Sequence, residues 1–300
     1  MRPCGMRKAT TTALAGTVAA GAAGLAYAYW EAQAFTLRRA TSPVLSPGQR
    51  DLRLLHLSDL HFIPGQRKKQ DWVRSLAELR PDGVIVTGDF LSHVDAVPHV
   101  LDTLDPLFDV PGAFVLGSND YYAPRPLNWA RYLKGPSQLE PKRPMLPWGD
   151  LVDGLTTNGW LDLGNTRATM KVDGREIDVR GVDDPHISRD RYDEVAGPFD
   201  SDADLALGVT HAPYLRVLDA MAGDGADLIL AGHTHGGQLC VPGVGALVTN
   251  CDLPRTRAKG LSPHGSATLH VSAGLGTSPY APVRFACRPE ATLLTLTSRA

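Results

Sequence analysis

Seven side chains at five places in this 300-residue chain are of types that hold metal ions: Asp59 and His61, Asp89, Asn119, His211, and the pair His233 and His235. Imidazole, carboxylate and amide oxygen form a nitrogen and oxygen donor set without thiolate, which suits Mn, Fe or Zn. One zinc ion usually takes four ligands, so seven donors suit two divalent ions with a carboxylate between them. Such ions sit ~3.5–4 Å apart, activate a bound water and clamp the attacking and leaving oxygens of an in-line displacement. The donors are densest in Gly232-His233-Thr234-His235-Gly236-Gly237-Gln238. There one residue separates two histidines, and two glycines permit the sharp turn that would bring both rings to neighbouring places. A lone aspartate or histidine after a strand is more often a turn, cap or core residue. The weight lies in five such places recurring in one chain.

Each place follows a short apolar run: Leu52 to Ser58, Val84 to Thr87, Ala113 to Leu116, Leu205 to Thr210 and Leu228 to Ala231. Continuous runs of this kind read as strands buried on both faces. Helical patterns are expected over Gln70 to Arg80, Val97 to Phe108 and Leu215 to Met221, with a weaker one over Gly149 to Asn158. Strands alternating with helices predict a sheet whose strand ends share one edge, where ligand sites of open α/β sheets lie. Arg167 to Gly181, with Asp173-Gly174 between two alternating runs, predicts a hairpin. Thr268 to Ser272 and Ala291 to Thr297 read as strands of a C-terminal sheet. Tyr121 to Trp148, rich in Pro, Arg and aromatics, reads as a long loop with one short helix around Asn128 to Leu133; loops that long are often functional.

Composition sets outer bounds. With 43% hydrophobic and 21% charged residues the chain is an ordinary globular one, long enough for one large domain or two small ones. A formal net charge of −2 gives no basic field, so no nucleic-acid partner is expected. Cys4, Cys240, Cys251 and Cys287 form no CxxC pair, which argues against a zinc ribbon and a dense disulfide framework. Cys240 and Cys251 are either bridged in an oxidising compartment or buried free thiols. At the N-terminus Arg2, Arg7 and Lys8 precede an uncharged stretch from Ala9 to Trp30, long enough to span a bilayer as a helix. Tyr27, Tyr29 and Trp30 at its end suit a membrane interface, although Arg38 and Arg39 just beyond oppose an outward orientation. Ala26-Tyr27-Ala28 also resembles a signal cleavage site. A retained anchor and a cleaved signal are both open; the first puts the catalytic part at the cell membrane outside the cytoplasm, the second makes it secreted. Thr41 to Gln49 reads as a linker, dividing the chain into an N-terminal segment, 1–49, and a folded domain, 50–300.

The order Asp-x-His, Gly-Asp, Gly/Asn loop, His and Gly-His-x-His, from Leu52 to Gln238, resembles the calcineurin-like metallophosphoesterase superfamily. The apolar N-terminus ahead of it is similar to the bacterial, membrane-associated branch, some relatives of which act on phospholipids or lipid pyrophosphates. The resemblance implies an αββα sandwich, two β-sheets flanked by helices, and a phosphoester hydrolase with two divalent metal ions and a bridging hydroxide. It implies that Asp59, His61 and His235 hold one ion, that Asp89 bridges, and that Asn119, His211 and His233 hold the other. Asp89, Asn119 and His235 are the expected catalytic residues. The phosphoester substrate could be a lipid head group, in which case the aromatic and basic residues of Tyr121 to Trp148 would face the membrane. The second reading is a non-catalytic metal-binding scaffold of the same fold.

One departure from the family pattern bears on chemistry. The third motif usually runs Gly-Asn-His and then Asp or Glu; here it runs Gly117-Ser118-Asn119-Asp120. Aligned without a gap, Ser118 falls where the metal-binding asparagine belongs and Asn119 replaces the histidine. A shifted loop delivers Asn119 instead, which is the expected ligand, with Ser118 as the alternative. The histidine that assists the leaving group is missing from its place; His93, His186 and metal-bound water are the candidate substitutes. Asp183-Asp184-Pro185-His186 is a polar cluster that the motifs do not explain. His56 reads as structural, and His99, His264 and His270 carry no motif.

Overall fold

The computed structural model of the protein describes residues 19–126 and 143–299. A helix, α1, covers 19–31. It leads into β1 (Thr36–Leu45), β2 (Leu52–Leu57), α2 (Arg67–Ser75), β3 (Gly83–Thr87), α3 (Val97–Leu104), β4 (Gly112–Val115), a single turn α4 (Ser118–Tyr121), α5 (Trp148–Thr157) and β5 (Leu161–Asp162). The second half holds β6 (Thr166–Val172), β7 (Arg175–Gly181), β8 (Leu205–Val209), α6 (Leu215–Gly223), β9 (Leu228–Ala231), the short pair β10 (Cys240–Val241) and β11 (Gly245–Ala246), then β12 (Gly260–His264), β13 (Ala267–Val271) and β14 (Glu290–Ser298). One six-stranded sheet runs β1-β14-β2-β3-β4-β5 and the other β12-β13-β9-β8-β7-β6.

Alternation along each strand explains the four layers. In β2, Leu52 and Leu54 face the second sheet, where they meet Val179, Leu207 and Leu230, while Leu55 and Leu57 face the helices. In β9, Leu228 and Leu230 take the inner side and Ile229 and Ala231 pack towards α6. Successive side chains of a strand point to opposite faces, so a run that is apolar at every position must be covered twice. Helices α2, α3 and α5 cover the first sheet and α6 covers the second. The expected αββα sandwich is the fold of this chain.

Several expectations change. The segment read as a linker is largely β1, which pairs in parallel with β14 from Thr36↔Glu290 onwards, so the sheet begins well ahead of residue 50. Alternating Ala40, Ser42 and Val44 were masked as a strand signal by Pro43 and Pro47, yet Pro is tolerated on an edge strand such as this. The two strands expected in one C-terminal sheet lie in different sheets: β13 pairs with β9, and β14 pairs with β2. The helices over 70–80 and 97–108 begin earlier or stop sooner, each ending in a 3-10 turn, Leu76–Leu79 and Asp105–Leu107. The hairpin over 167–181 forms with its turn at Asp173-Gly174. The helix placed around Asn128 to Leu133 lies outside the described residues. Tyr121 is buried and packs on Tyr122 and the half-buried Trp148 against the helix-side core, while 127–142 of the segment expected to face head groups lie outside the described residues. No helix among the described residues is long and apolar enough to cross a membrane. Cys240, Cys251 and Cys287 are free and buried.

Two buried histidines without a motif join the sheets. His56 Nδ1 lies 2.9 Å from His270 Nδ1, and His56 Nε2 lies 2.9 Å from Thr87 Oγ1. Burial pushes His270 down to about 4, and burial followed by its neighbour pushes His56 well below the ordinary histidine value. A depressed histidine stays neutral in the folded chain and takes up a proton on unfolding. Its stabilising balance is therefore complete above the unfolded value of 6.5 and is lost as pH falls towards 4. Each pH unit in that window removes about 1.4 kcal/mol. The stability advantage of the wild type over His270→Asn is expected to shrink by about 2 kcal/mol between pH 6.5 and about pH 5. Urea unfolding at both pH values tests this; a constant difference would show that His270 is not held neutral.

Candidate metal centre

The carboxyl-terminal ends of β2, β3, β4, β8 and β9 converge at the edge where the two sheets meet, and each delivers one of the five expected places. The backbone there is unusual. Asp59 (φ 50°), His61 (φ 45°), Asp89 (φ 55°), His233 (φ 69°) and His235 (φ 50°) all adopt the left-handed region. For L-residues that conformation costs about 1–2 kcal/mol each. Five such residues on one edge are retained because the turn sends each side chain off its strand end and into the cleft.

Asp59, His61, Asp89 and His235 each bring one ligand atom to within 4.8 Å of the others. His61 Nε2 is 3.2 Å from His235 Nε2, and His235 Nε2 is 3.4 Å from Asp59 Oδ1. Asp89 Oδ2 is 3.5 Å from His61 Nε2 and equally 3.5 Å from His211 Nε2. Beyond it, His211 Nε2 is 3.3 Å from His233 Nδ1. Asp89 thus stands between two histidine pairs. Asn119 reaches it from β4: its backbone N–H donates to Asp89 Oδ1 at 2.8 Å and its amide nitrogen to Oδ2 at 2.7 Å. Presenting Oδ1 to a metal instead takes a half-turn of that amide. Ser118 lines the same cavity.

The ring nitrogens facing away from the cleft are all anchored. His211 Nδ1 donates to the Thr87 carbonyl at 2.6 Å, and His233 Nε2 donates to the Asn250 carbonyl at 3.2 Å. His235 Nδ1 meets the Gly276 carbonyl and His61 Nδ1 meets Ser92 Oγ. Partners of this kind fix tautomer and ring orientation in metal sites. They also test whether a metal fits. With His211 protonated on Nδ1 and His233 on Nε2, two bare lone pairs face each other at 3.3 Å. Neutral rings so placed repel each other, and a cation between them reverses the sign. Burial holds His61 down at about 4 and His233 and His235 well below the ordinary value, so all three are neutral, the form that ligates. Burial acts the same way on His211, but Asp89, Asp184 and Asp59 outweigh it and raise it well above the ordinary value; a proton therefore competes for the place of an ion. Burial pushes Asp59 up to about 6, against the pull of His211. The residues fit a divalent metal.

Two supports were not legible as site residues. Asp120, fully buried, accepts from the amides of Asp89 and Gly117 on one oxygen and of Leu91 on the other, tying the second and third motif loops together. Burial and the charge of Asp89 push it up to about 8. Its place beside the third motif was the available signal. Arg284, fully buried and far from every motif, donates to the carbonyls of Ala273 and Gly276 at 2.8 Å and of Gly274 at 3.1 Å, with longer contacts to those of His235 and Cys287. Nothing in the local sequence distinguishes it.

The close approach at Gly117 is specific to glycine. A Cβ there would lie 2.3 Å from Asp89 Oδ1 and 2.7 Å from His211 Nε2. Gly117→Ala is expected to move Asp89 or His211 and to cost at least ~100-fold in phosphodiesterase kcat/KM, the scale of a misplaced catalytic group. Activity within about twofold of wild type, with metal content unchanged, would show that the site tolerates this shift.

The cleft opens into a cavity of about 330 Å³. Metal-facing His61, Asp89, His233 and His235 form its floor; Arg125, Arg143 and His186 bring cationic or proton-carrying groups to its wall; Leu239, Leu247, Tyr280 and Val283 make an apolar part. His186, from the unexplained polar cluster, packs on His233 with centroids 4.5 Å apart and rings tilted by 45°, and meets Tyr214 Oη through Nδ1 at 3.1 Å. Its neighbours point elsewhere: Asp183 accepts from Tyr121 Oη and Arg189, and Asp184 caps the turn at His186. His93 accepts from the Asp95 amide and is absent from the cavity wall. His264 pairs with Asp219, and His99 lies beside Gln70.

The calcineurin-like phosphoesterase family profile matches residues 52–237, and the chain belongs to that family. It is a hydrolase of phosphoester bonds with side chains placed to bind metal. It is similar to the phosphodiesterase YaeI of Escherichia coli, 28% identical over 97% of this chain and 98% of that one, and to the metallophosphoesterase YkoQ of Bacillus subtilis, 28% identical over 82% and 84%. A zebrafish transmembrane protein with metallophosphoesterase domain is 27% identical over 82% of this chain and 53% of its own length. Among solved structures, the phosphopantetheinyl hydrolase of Mycobacterium tuberculosis aligns over 78% of this chain and 95% of that one, with a TM-score of 0.40 and 14% identity.

Proposed function

We propose that the chain is a phosphodiesterase acting through two divalent ions, Mn, Fe or Zn, on a phosphoester carried by an amphiphile, a lipid head group or lipid pyrophosphate. The observation that carries the two-ion reading is Asp89 Oδ2 lying 3.5 Å from a histidine nitrogen on either side. Asp59, His61, His235 and Asp89 would hold one ion; Asp89, Asn119, His211 and His233 would hold the other. When bound, such ions supply Lewis-acid stabilisation of the phosphoryl oxygens and lower the pKa of water. The chain's own groups do the rest. Arg125 and Arg143 bring positive charge to where a phosphodiester anion would lie. Asn119, tied to Asp89, orients that carboxylate. His186, standing over His233, is the cavity histidine best placed to take the role of the one missing from the third motif.

The amphiphilic substrate is supported by the apolar part of the cavity and by the uncharged stretch from Ala9 to Trp30 behind three basic residues. The diester preference is supported by the name of the YaeI relative, and membrane association by that of the zebrafish one. The catalytic domain would then work at the outer face of the cell membrane.

The test is removal and return of metal. Exhaustive chelation is expected to abolish turnover of a soluble aryl phosphodiester, and one of Mn, Fe or Zn to restore it at close to two ions per chain. Full activity with no metal left would end this reading; two bound ions without turnover would favour the non-catalytic scaffold.

A further inference from the structure

Apart from Val94 and Met145, the exposed large apolar side chains among the described residues fall in three segments. One is α1, with Leu25 and Tyr27, Tyr29 and Trp30. The second is the β10–β11 hairpin and its flanks, where Val244 at the tip is 75% exposed and Val241 and Leu247 stand beside it. The third is the loop before β14, with Tyr280. Phe285 holds the three together. Its ring lies edge-on to Tyr27 at 5.6 Å, and its carbonyl accepts from the Cys240 amide at 2.8 Å. The preceding Arg284 amide donates to the Ala28 carbonyl, and Gln238 Nε2 donates to the carbonyls of Ala281 and Val283. Buried Glu31 accepts from the amides of Ala286 and Cys287, pinning the end of α1 to the same loop. The exposed apolar groups therefore make one continuous face, and Leu239, Leu247 and Tyr280 carry it into the cavity that holds the metal ligands.

We infer that this face, built by α1 and the β10–β11 hairpin, is the surface that seats the domain on an anionic phospholipid bilayer with the cavity mouth turned to the head groups. The inference rests on the reading of an amphiphilic substrate given above. It places the membrane-facing surface at α1 and the hairpin, whereas Tyr121 of the segment first expected there is buried. Large contiguous apolar patches on a monomer mark interaction sites. Three observations select a bilayer as the occupant. First, 19–27 of α1 are exposed, uncharged and mostly apolar along the whole length, and the sequence is uncharged from Ala9 to Trp30. Second, Tyr27, Tyr29 and Trp30 lie where α1 meets the domain, the residue types favoured at head-group depth. Third, the charge is one-sided. Residues 19–30, 232–249 and 274–289 contain no aspartate or glutamate. Exposed Arg288 lies over the Trp30 ring at 5.7 Å, and exposed Arg255 donates to the Leu247 carbonyl at 3.2 Å, so cations rim the apolar surface. An apolar centre with a basic rim is complementary to acyl chains beneath anionic phosphates.

The test uses the full chain loaded with metal, and the double variant Val241→Glu/Val244→Glu; neither residue lines the cavity. The probes are vesicles of phosphatidylglycerol and phosphatidylcholine in equal parts, and vesicles of phosphatidylcholine alone. The wild type is expected to float with the mixed vesicles and to bind the neutral ones about tenfold more weakly. The variant is expected to lose about tenfold in partition to the mixed vesicles and in turnover of a vesicle-borne phosphodiester, with soluble aryl phosphodiester turnover within about twofold of wild type. Equal flotation of variant and wild type, or no flotation of either, would overturn the proposal. So would a lipid-free dimer of the wild type that the substitutions dissociate in sedimentation velocity, because the occupant would then be a second copy. Loss of the soluble activity in the wild type would instead strike the phosphodiesterase reading, and flotation would still report on the face.

Discussion

Asp89→Asn is expected to lower kcat/KM for an aryl phosphodiester by a factor on the order of 10³ and to reduce bound metal to one equivalent or less. The reason is position. Asp89 Oδ2 is equidistant from His61 and His211, one from each of the two histidine pairs. Several kcal/mol of transition-state stabilisation come from metal-held charge in sites of this type, and ~4 kcal/mol corresponds to a factor of about 10³. Asparagine keeps the volume but removes the negative charge and turns one acceptor into a donor that faces the Asn119 amide nitrogen. The fold should survive, since a buried charge is removed rather than created. Metal analysis, steady-state kinetics and thermal unfolding on the same preparation check this. Near-normal activity with two ions bound would remove Asp89 from the bridge.

Arg284→Met is expected to destabilise the protein by ~1–2 kcal/mol and to weaken metal retention. Arg284 is fully buried and serves the carbonyls of Ala273, Gly274 and Gly276 at 3.1 Å or less. A buried acceptor left without its donor costs ~1–3 kcal/mol. Only the Ala273 carbonyl would be orphaned, since Gly274 keeps the Glu290 amide and Gly276 keeps His235 Nδ1, and relief of guanidinium burial, which already lowers the Arg284 pKa, offsets part of the loss. Gly276 also accepts from His235 Nδ1, so slackening of that loop reaches a metal ligand directly. The expected signature is a lowered urea midpoint together with faster metal loss to a chelator. Loss of stability with unchanged metal release would confine Arg284 to the scaffold; no change in either would show that the carbonyls find other donors.

The chemistry was legible in sequence because it depends on residue type and order. Five apolar runs, each short and apolar throughout, specify strands covered on both faces, and polar residues directly after such runs lie at a sheet edge. From this follow the donor set and a covered sheet with its strand ends at one edge; the αββα layering was implied by the resemblance to the family. Turn chemistry was partly legible as well: the Asp173-Gly174 hairpin formed where it was expected. Strand membership was not. Nothing local separates β1 from a linker or assigns β13 and β14 to different sheets, because both outcomes depend on hydrogen-bond partners supplied from the far end of the chain, Glu290 to Ser298 for β1 and Leu228 to Ala231 for β13.

Tertiary structure alone decided the geometry of the site. The left-handed backbone at Asp59, His61, Asp89, His233 and His235 is a local cost that no propensity favours, and it persists only because packing and long-range hydrogen bonds over-determine it. Which nitrogen each histidine presents is set by Thr87, Ser92, Asn250 and Gly276, contributed by other strands and loops. Arg284 became part of the site through its contacts with carbonyls from three separate stretches of chain. Tyr121, similar in composition to an interface residue, is buried in the helix-side core with half-buried Trp148 packed against it, while the apolar residues of α1 and the β10–β11 hairpin found no covering layer. Residue order specifies which chemistry a chain can bring to an edge; the distances, the proton positions and the faces left uncovered depend on partners far away in sequence, and only the folded chain brings those together.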